Sequence, residues 1–294
     1  MLAQFGIDES ALLGSGGESQ VYALDPERVL RIYKAGMAPD YIAARHDLRA
    51  LIPPRNPPFL LAQPLERGTI DNRAYVIERR MHGSDLAVLL PTLSGGQRRH
   101  ALHSYLDTAA QIGSVTFADR PYGELLPLPA SIHTQHWPDY LRARAAATLA
   151  LSRGDLAADL PDAERVLQQL DADLQRLGDP AQRTLVHGDY FPGNVFVDHH
   201  FTTYGVGDFG YTTLVGDPRM DLAGALAFLE LTPGYQPERY PPPQRCTAGR
   251  GRRSPARCPT DLPPLLCRLL LALQRLRSAN LCLVCWRAAR SIED

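Results

Sequence analysis

The stretch from His187 to Asn194, HGDYFPGN, constrains the possible fold of this chain more than any other segment. It places a histidine, a carboxylate and an amide among glycines and a proline, and a short apolar run lies on either side, at 184–186 and 195–197. This pattern predicts a strand, a rigid loop and a second strand. Three interpretations of the loop are open: a metal site on the His-x-Asp pair, a phosphoryl-transfer loop, or a polar turn without chemistry.

The hydrophobic pattern changes character near residue 80. At 294 residues and 45% hydrophobic composition, the chain is long enough for two modest cores. Before the change, alternating apolar residues predict a hairpin at 10–24, a third strand at 28–33, a helix at 40–51 and a strand at 74–77. After it, helical spacing predicts helices at 97–116, 136–151 and 161–177.

These elements predict an α+β fold of two lobes, a small antiparallel β lobe and a larger, mainly helical lobe. We place the N-terminal lobe at 1–80, the C-terminal lobe at 81–240 and the hinge near 78–83. Residues 241–294 differ from both lobes in composition. Residues 1–240 carry 29 acidic and 21 basic side chains, whereas the tail carries 3 and 10, and it also holds all five cysteines.

The Arg, Pro, Gly and Cys bias of this tail is typical of poorly ordered segments. Because the composition changes abruptly, we also consider that the tail is read out of frame.

The whole chain has a net charge of −1, so neither nucleic acid nor a membrane surface is an expected partner. The N-terminus lacks the pattern of a signal peptide and the main body lacks cysteine, which predicts a cytoplasmic protein.

A glycine-rich turn lies in the predicted first hairpin and comprises Gly14, Ser15, Gly16, Gly17, Glu18 and Ser19. Glycines allow the backbone N–H groups of such a turn to approach phosphate oxygens closely. The turn is neither a Walker loop, which needs Gly-Lys-Ser/Thr, nor a dinucleotide fingerprint, which needs a following helix. Taken alone it also fits an ordinary hairpin. Arg31 on the next strand could reach under the turn, and Lys34, on the opposite strand face, is the alternative cation.

A second carboxylate, Asp208, follows Asn194 by 14 residues. Phosphoryl transfer requires a base that orients the acceptor and oxygen ligands that hold Mg²⁺. Asp189 could take the proton of an acceptor hydroxyl, and Asn194 and Asp208 could bind the metal. Oxygen ligands suit Mg²⁺ better than they suit zinc.

Three motifs occur in order: His187-Gly-Asp189-x-x-x-x-Asn194, Gly207-Asp208-Phe-Gly210 and Gly216-Asp217-Pro-x-x-Asp221. On these motifs, residues 10–230 resemble the aminoglycoside phosphotransferase and choline kinase-like family, which has the protein-kinase fold. The resemblance implies an ATP- and Mg²⁺-dependent kinase that phosphorylates a hydroxyl of a small molecule, such as an aminoglycoside, choline or a sugar.

The resemblance also implies a role for each matched residue. Asp189 is the catalytic base, and Asn194 and Asp208 are the metal ligands. Residues 14–19 and Arg31 bind the nucleotide phosphates, and the backbone from Glu78 to Met81 is the hinge that meets adenine. In the resemblance His187 braces the loop. The residues themselves predict that Asp217 caps the following helix and that Asp221 ties the catalytic loop in place through hydrogen bonds.

Two departures from the family pattern, in the helix after the third strand and in the tail at 241–294, leave the alternatives open. The helix after the third strand should carry a glutamate that pairs with Arg31, and here Asp47 is a shorter substitute. A nucleotide-binding protein without turnover is therefore the runner-up. A metal-dependent hydrolase that uses His187, Asp189 and Asp208 is the third interpretation. Neither the acceptor nor the oligomeric state is predicted.

Overall fold

A computed structural model of the chain describes residues 1–52, 59–126, 128, 131–159 and 163–231. The tail at 241–294, with the prediction about its reading frame, lies outside the described residues.

The N-terminal part is built around an antiparallel sheet of five strands in the order β1-β2-β3-β6-β5. The strands are β1 (Leu12–Ser15), β2 (Ser19–Ala23), β3 (Arg28–Tyr33), β5 (Pro64–Ile70) and β6 (Arg73–Arg79). Helix α1 (Pro39–Leu51) follows β3, and the two-residue strand β4 (Leu60–Leu61) precedes β5. The predicted hairpin, third strand, helix and later strand are confirmed, whereas β5 was not predicted.

Helix α1 begins with Pro39 at a position where a missing backbone N–H does not interrupt the helix. Its residues Tyr41, Ile42 and Leu48 are buried and pack in the largest core together with Tyr33 of β3 and Val76 of β6. One face of α1 is thereby fixed against the sheet. This packing determines which of its charged side chains turn toward the cleft between the two lobes.

The C-terminal part is mainly helical. Its helices are α2 (Leu86–Leu89), α3 (Gly95–Ile112), α4 (Trp137–Asp159), α5 (Ala163–Leu174) and α6 (Arg219–Leu231). The three long helices predicted after residue 81 are confirmed as α3, α4 and α5, with shifted ends. The short strands are β7 (Ser84–Asp85), β8 (Tyr122–Glu124), β9 (His133–Thr134), β10 (Thr184–Val186), β11 (Val195–Val197), β12 (Thr203–Val206) and β13 (Leu214–Gly216).

Two small sheets lie on either side of the predicted loop at 187–194. One sheet has the order β10-β13-β8-β9 and the other β4-β12-β11-β7. In the second sheet β4 pairs in parallel with β12, with Leu60 opposite Gly205, so the segment before β5 is tied to the large lobe. The predicted loop at 187–194 connects the two sheets, since it runs from β10 to β11.

Among the described residues, none of the helices is both long enough and apolar enough to cross a membrane.

Candidate active site

The loop between β10 and β11 is anchored by a buried carboxylate from α6. Asp221 accepts hydrogen bonds from the backbone N–H groups of His187 at 2.6 Å and Gly188 at 2.9 Å. Asp221 is 3% exposed, so both bonds are shielded from competing water. Two consecutive backbone groups are fixed immediately before Asp189.

His187 joins this loop to the segment that carries Asp208. Its Nε2 donates to the carbonyl oxygen of Gly207 at 2.8 Å, and its Nδ1 accepts from the backbone N–H of Asp189 at 3.2 Å. The ring is fully buried and packs against Phe209. Because both ring nitrogens are engaged in hydrogen bonds, the imidazole lacks a free lone pair with which to bind a metal ion.

Asp189 and Asn194 are held at a fixed separation by a bond within the loop. The side-chain Nδ2 of Asn194 donates to the backbone oxygen of Asp189 at 3.0 Å. The backbone oxygen of Asn194 in turn accepts from the N–H of Gly207 at 2.8 Å. Since the Asn194 amide nitrogen is a donor here, its amide oxygen is the atom that can ligate a cation.

Asp208 follows Gly207 in a left-handed backbone conformation, with φ of 60°. Residues other than glycine rarely adopt this conformation, and such residues cluster at active sites. Burial raises the pKa of Asp208, but the positive charges of Arg45 and Arg31 outweigh burial and hold the pKa below its usual value. The carboxylate is therefore ionised at neutral pH.

Asp217 lies just before α6 and is 1% exposed. It accepts from the backbone N–H of Arg219 at 2.9 Å and forms an ion pair with the Arg219 guanidinium. A carboxylate at this end of a helix satisfies a free N–H group and interacts favourably with the helix dipole. Its contacts are those of a residue that starts α6.

The glycine turn connects β1 to β2 at residues 16–18 and is exposed at its tip. Gly16 donates from its backbone N–H to the oxygen of Ser19 at 2.9 Å, which closes the turn. The hydroxyl of Ser19 accepts from Nη1 of Arg31 at 3.0 Å. Arg31 thus lies beneath the turn, while Lys34 is exposed.

The partner of Arg31 is Glu78 on the neighbouring strand β6. Nε and Nη2 of Arg31 donate to the two carboxylate oxygens of Glu78 at 3.1 and 3.2 Å. Asp47 does not take this place: its carboxylate lies 3.4 Å from Nη1 of the exposed Arg67. The register explains the pairing, because Val29 faces Glu78 and Arg31 is two residues further along the same strand face.

We predict that Glu78→Gln lowers the free energy of unfolding by about 3 kcal/mol, because it leaves Arg31 as a largely buried charge without its counterion. Asp47→Asn is the matched control. It should change the free energy of unfolding by less than about 0.5 kcal/mol, because both members of its pair are exposed. Urea unfolding of the two variants gives both values. Equal losses would contradict the assignment of Glu78 as the partner.

The sequence did not single out Arg45 of α1, although Arg45 forms a charge cluster with Glu18 and Asp208. Its Nη1 donates to Glu18 of the glycine turn and its Nη2 to Asp208. The hydroxyl of Tyr41 also donates to Glu18, at 3.0 Å. The available signal was helical spacing, since Tyr41, Arg45 and Leu48 fall on one face of α1.

A small cavity beside this cluster is lined by residues from both lobes, among them Arg31, Arg45, Glu78 and Asp208. His46 also lines this cavity, and its Nε2 is hydrogen-bonded with the hydroxyl of Tyr33 at 3.2 Å. Burial lowers the pKa of His46 to about 4, so its ring is neutral at neutral pH. The charges at this cavity are therefore those of the arginines and the carboxylates.

Strand β6 ends at Arg79, and the chain then passes to β7. The sulfur of Met81 packs close to Gly205 of β12, where an added Cβ would lie 2.9 Å from it. The segment from Glu78 to Met81 therefore runs from the small sheet to the large lobe. The structure places this predicted hinge next to the strand that leads to Asp208.

The described residues contain no group of three or more His, Cys, Asp or Glu side chains arranged to hold a metal ion. Mg²⁺ in phosphoryl-transfer sites commonly uses only one or two carboxylates, and phosphates and water complete its shell. The predicted metal ligands Asn194 and Asp208 would belong to that mode of binding. Such a site differs from a preformed one in which protein side chains supply every ligand.

Comparison with known proteins relates this fold to solved structures. Aminoglycoside phosphotransferase APH(2'')-Ib, ADP-bound, superposes with a TM-score of 0.52 at 14% identity, covering 72% of this chain and 68% of that one. The GDP complex of a point mutant of aminoglycoside 2'-phosphotransferase-IIIa gives 0.51 at 17% identity, covering 79% and 75%. APH(3'')-Id from Streptomyces rimosus, in complex with ADP and streptomycin, gives 0.50 at 17% identity, covering 94% and 96%. No curated protein sequence matches the chain.

The fold is two-lobed and protein-kinase-like, and the family match makes the chain a phosphotransferase of the small-molecule kinase class. A model described as the phosphotransferase enzyme family matches residues 10–241, and the chain belongs to this family. The predicted α+β architecture and the predicted family are confirmed.

Proposed function

We propose that the protein is an ATP- and Mg²⁺-dependent phosphotransferase that moves the γ-phosphoryl group to a hydroxyl of a small molecule. The proposal rests mainly on one observation: hydrogen bonds through His187 and Gly207 tie the loop of Asp189 and Asn194 to the loop of Asp208. A base and two metal ligands on one connected framework suit phosphoryl transfer, where positioning supplies most of the catalysis.

In this proposal Asp189 accepts the proton of the acceptor hydroxyl while that oxygen attacks the γ-phosphorus in line with the leaving ADP oxygen. The proton ends on the carboxylate, and the bond between the γ-phosphorus and the bridging oxygen breaks. The backbone N–H and C=O of Asp189 are both hydrogen-bonded, to His187 and to Asn194, so the loop presents the base in one orientation. Arg31 and the glycine turn cover the nucleotide phosphates.

The residues present suit Mg²⁺. The guanidinium group of Arg45 donates a hydrogen bond to Asp208, so this carboxylate already faces a cation. Asn194 contributes an amide oxygen, and both ligands are of the oxygen type that Mg²⁺ prefers. When bound, Mg²⁺ would neutralise the charge of the transferred phosphoryl group.

We predict that Asp208→Asn and Asn194→Ala weaken binding of Mn²⁺, used as a probe for Mg²⁺, in the presence of ADP. The loss should exceed about tenfold, which is what removing even a supporting residue commonly costs a metal site. Electron paramagnetic resonance of free and bound Mn²⁺ measures the affinity directly. Asp198→Asn is the control, because Asp198 caps the turn after β11 through the N–H groups of His200 and Thr202. Unchanged Mn²⁺ affinity in both ligand variants would contradict the assignment.

The acceptor is a small molecule with a hydroxyl group. Several solved neighbours are described as complexes with streptomycin, gentamicin or kanamycin, which makes aminoglycosides the first compounds to test. Residues 141–180 carry seven acidic and five basic side chains, so the large lobe shows only a slight acidic excess for a polycationic acceptor. Choline-like and sugar-like alcohols therefore belong in the same panel.

The interpretation as a metal-dependent hydrolase is less consistent with the site. It requires His187 as a ligand, and both ring nitrogens of His187 are engaged in hydrogen bonds to the backbone. Metal-dependent hydrolysis in the absence of ATP would nevertheless favour it. Binding of ATP without transfer to any compound would favour a nucleotide-binding protein without turnover.

A further inference from the structure

We propose that Arg45 is a phosphate-binding residue of the nucleotide site, which exchanges its carboxylate partners Glu18 and Asp208 for phosphate oxygens when nucleotide binds. This inference rests on the proposed function. It assigns a phosphate-binding cation to helix α1, the helix on which the family resemblance predicts a glutamate.

Arg31, the other arginine at this cavity, has its partners within the small lobe. Each of its three guanidinium nitrogens donates a hydrogen bond, two of them to Glu78 and one to Ser19. Its charge is balanced by a carboxylate on the same sheet. Arg31 therefore has its own anion within the small lobe, and it supports the glycine turn from below.

Arg45 is situated differently. Its two carboxylate partners come from segments on opposite sides of the cleft, Glu18 from the glycine turn and Asp208 from the segment after β12. The side chain is only 8% exposed, and it ends where those two segments approach each other. Nucleotide phosphates in the proposed reaction occupy the space between a glycine turn and a metal-binding carboxylate.

The guanidinium group of arginine suits carboxylate and phosphate alike. Its planar fork binds carboxylate and phosphate oxygens with the same geometry, so a site that holds an arginine between two carboxylates also suits phosphate. If Asp208 were to hold Mg²⁺, Arg45 would lose one of its two anions, and a phosphate oxygen could take that place. Both charged groups keep a partner of opposite charge throughout this exchange.

A second consequence concerns the glycine turn. Tyr41 and Arg45, one turn apart on α1, both donate to Glu18. The turn is therefore fastened to α1 through its only acidic side chain. Nucleotide binding would replace this link by contacts from the turn and from Arg45 to the same phosphates.

The test is isothermal titration calorimetry of the full chain with Mg²⁺-ADP, Mg²⁺-ATP and adenosine. We expect Arg45→Met to weaken binding of both phosphorylated ligands by about tenfold or more, the usual effect of losing a hydrogen bond between charged groups. Affinity for adenosine, which has no phosphate, should be unchanged, and this also shows that the variant is folded. Arg67→Met is the control, because Arg67 pairs with Asp47 at an exposed position.

Arg45→Lys keeps the charge but not the fork, so we expect an intermediate loss of affinity. This variant provides the test if Arg45→Met does not fold. If both variants bound Mg²⁺-ATP with wild-type or higher affinity, this inference would be overturned while the proposed function stood. Arg45 would then serve only as the ion-pair partner of Asp208. Failure of the wild-type protein to bind any nucleotide would refute the proposed function and this inference with it.

Discussion

Replacing Asp189 with alanine should lower phosphoryl transfer by about 100- to 10,000-fold, the usual contribution of a general base. Nucleotide binding should stay nearly unchanged. The physical reason is that the backbone of Asp189 is held by His187 and Asn194, and the preceding N–H group is held by Asp221. Truncating the side chain therefore removes the proton acceptor and leaves the loop in place. Single-turnover transfer from labelled ATP and calorimetric titration with Mg²⁺-ADP measure the two quantities.

The control for this prediction is Asp198→Ala, which removes a carboxylate at the opposite end of β11. Transfer by the control should remain close to that of the wild-type protein. If Asp189→Ala kept wild-type transfer, another group would have to accept the proton. If both variants lost activity together with ADP binding, the loss would reflect the fold and not the chemistry.

Replacing Gly188 with alanine should destabilise the protein by more than about 3 kcal/mol, among the larger effects of a single substitution. Gly188 has φ of 78°, and a Cβ there would lie 2.0 Å from the backbone oxygen of Thr212. Backbone atoms on both sides are fixed, since the Gly188 N–H donates to Asp221. The clash can be relieved only by moving the loop that carries Asp189, so transfer activity should fall as well.

Gly224→Ala serves as the matched control. Gly224 lies within α6, and an added Cβ would meet nothing within 4 Å. Alanine is favoured over glycine inside a helix by about 0.5–1 kcal/mol, so this variant should be slightly more stable than the wild-type protein. Thermal and urea unfolding separate the two variants. A Gly188→Ala protein as stable as the wild type would contradict the described loop conformation.

The sequence predicted the elements of the cleft well where local patterns decide them. The glycine turn, the alternation in β3 and the loop between β10 and β11 are set by residue type and short-range spacing. Strand β5 was missed because Pro64–Ile70 lies at the sheet edge and only Ile70 is fully buried, so its residues show no regular alternation. Edge strands with two largely exposed faces lack the pattern that identifies a strand.

The charge pairing in the cleft could not be predicted, because it depends on strand register and helix rotation. Arg31 meets Glu78 since β3 and β6 align Val29 with Glu78, and no local pattern fixes that alignment. Arg45 reaches Asp208, 163 positions later in the chain, because α1 packs its Tyr41 face on the core. The family pattern indicated which residues matter on the loops but not which helix residue completes the cluster.

The fate of the γ-phosphoryl group of ATP is the most direct test of the account. The full-length protein would be incubated with labelled ATP, Mg²⁺ and a panel of aminoglycosides, amino-alcohols and sugars, and the products separated to locate the label. We predict that the label appears on a hydroxyl of at least one compound, only with Mg²⁺ present and not with the Asp189→Ala variant. Tight ATP binding with the label still on ATP across the whole panel would contradict the proposed transfer.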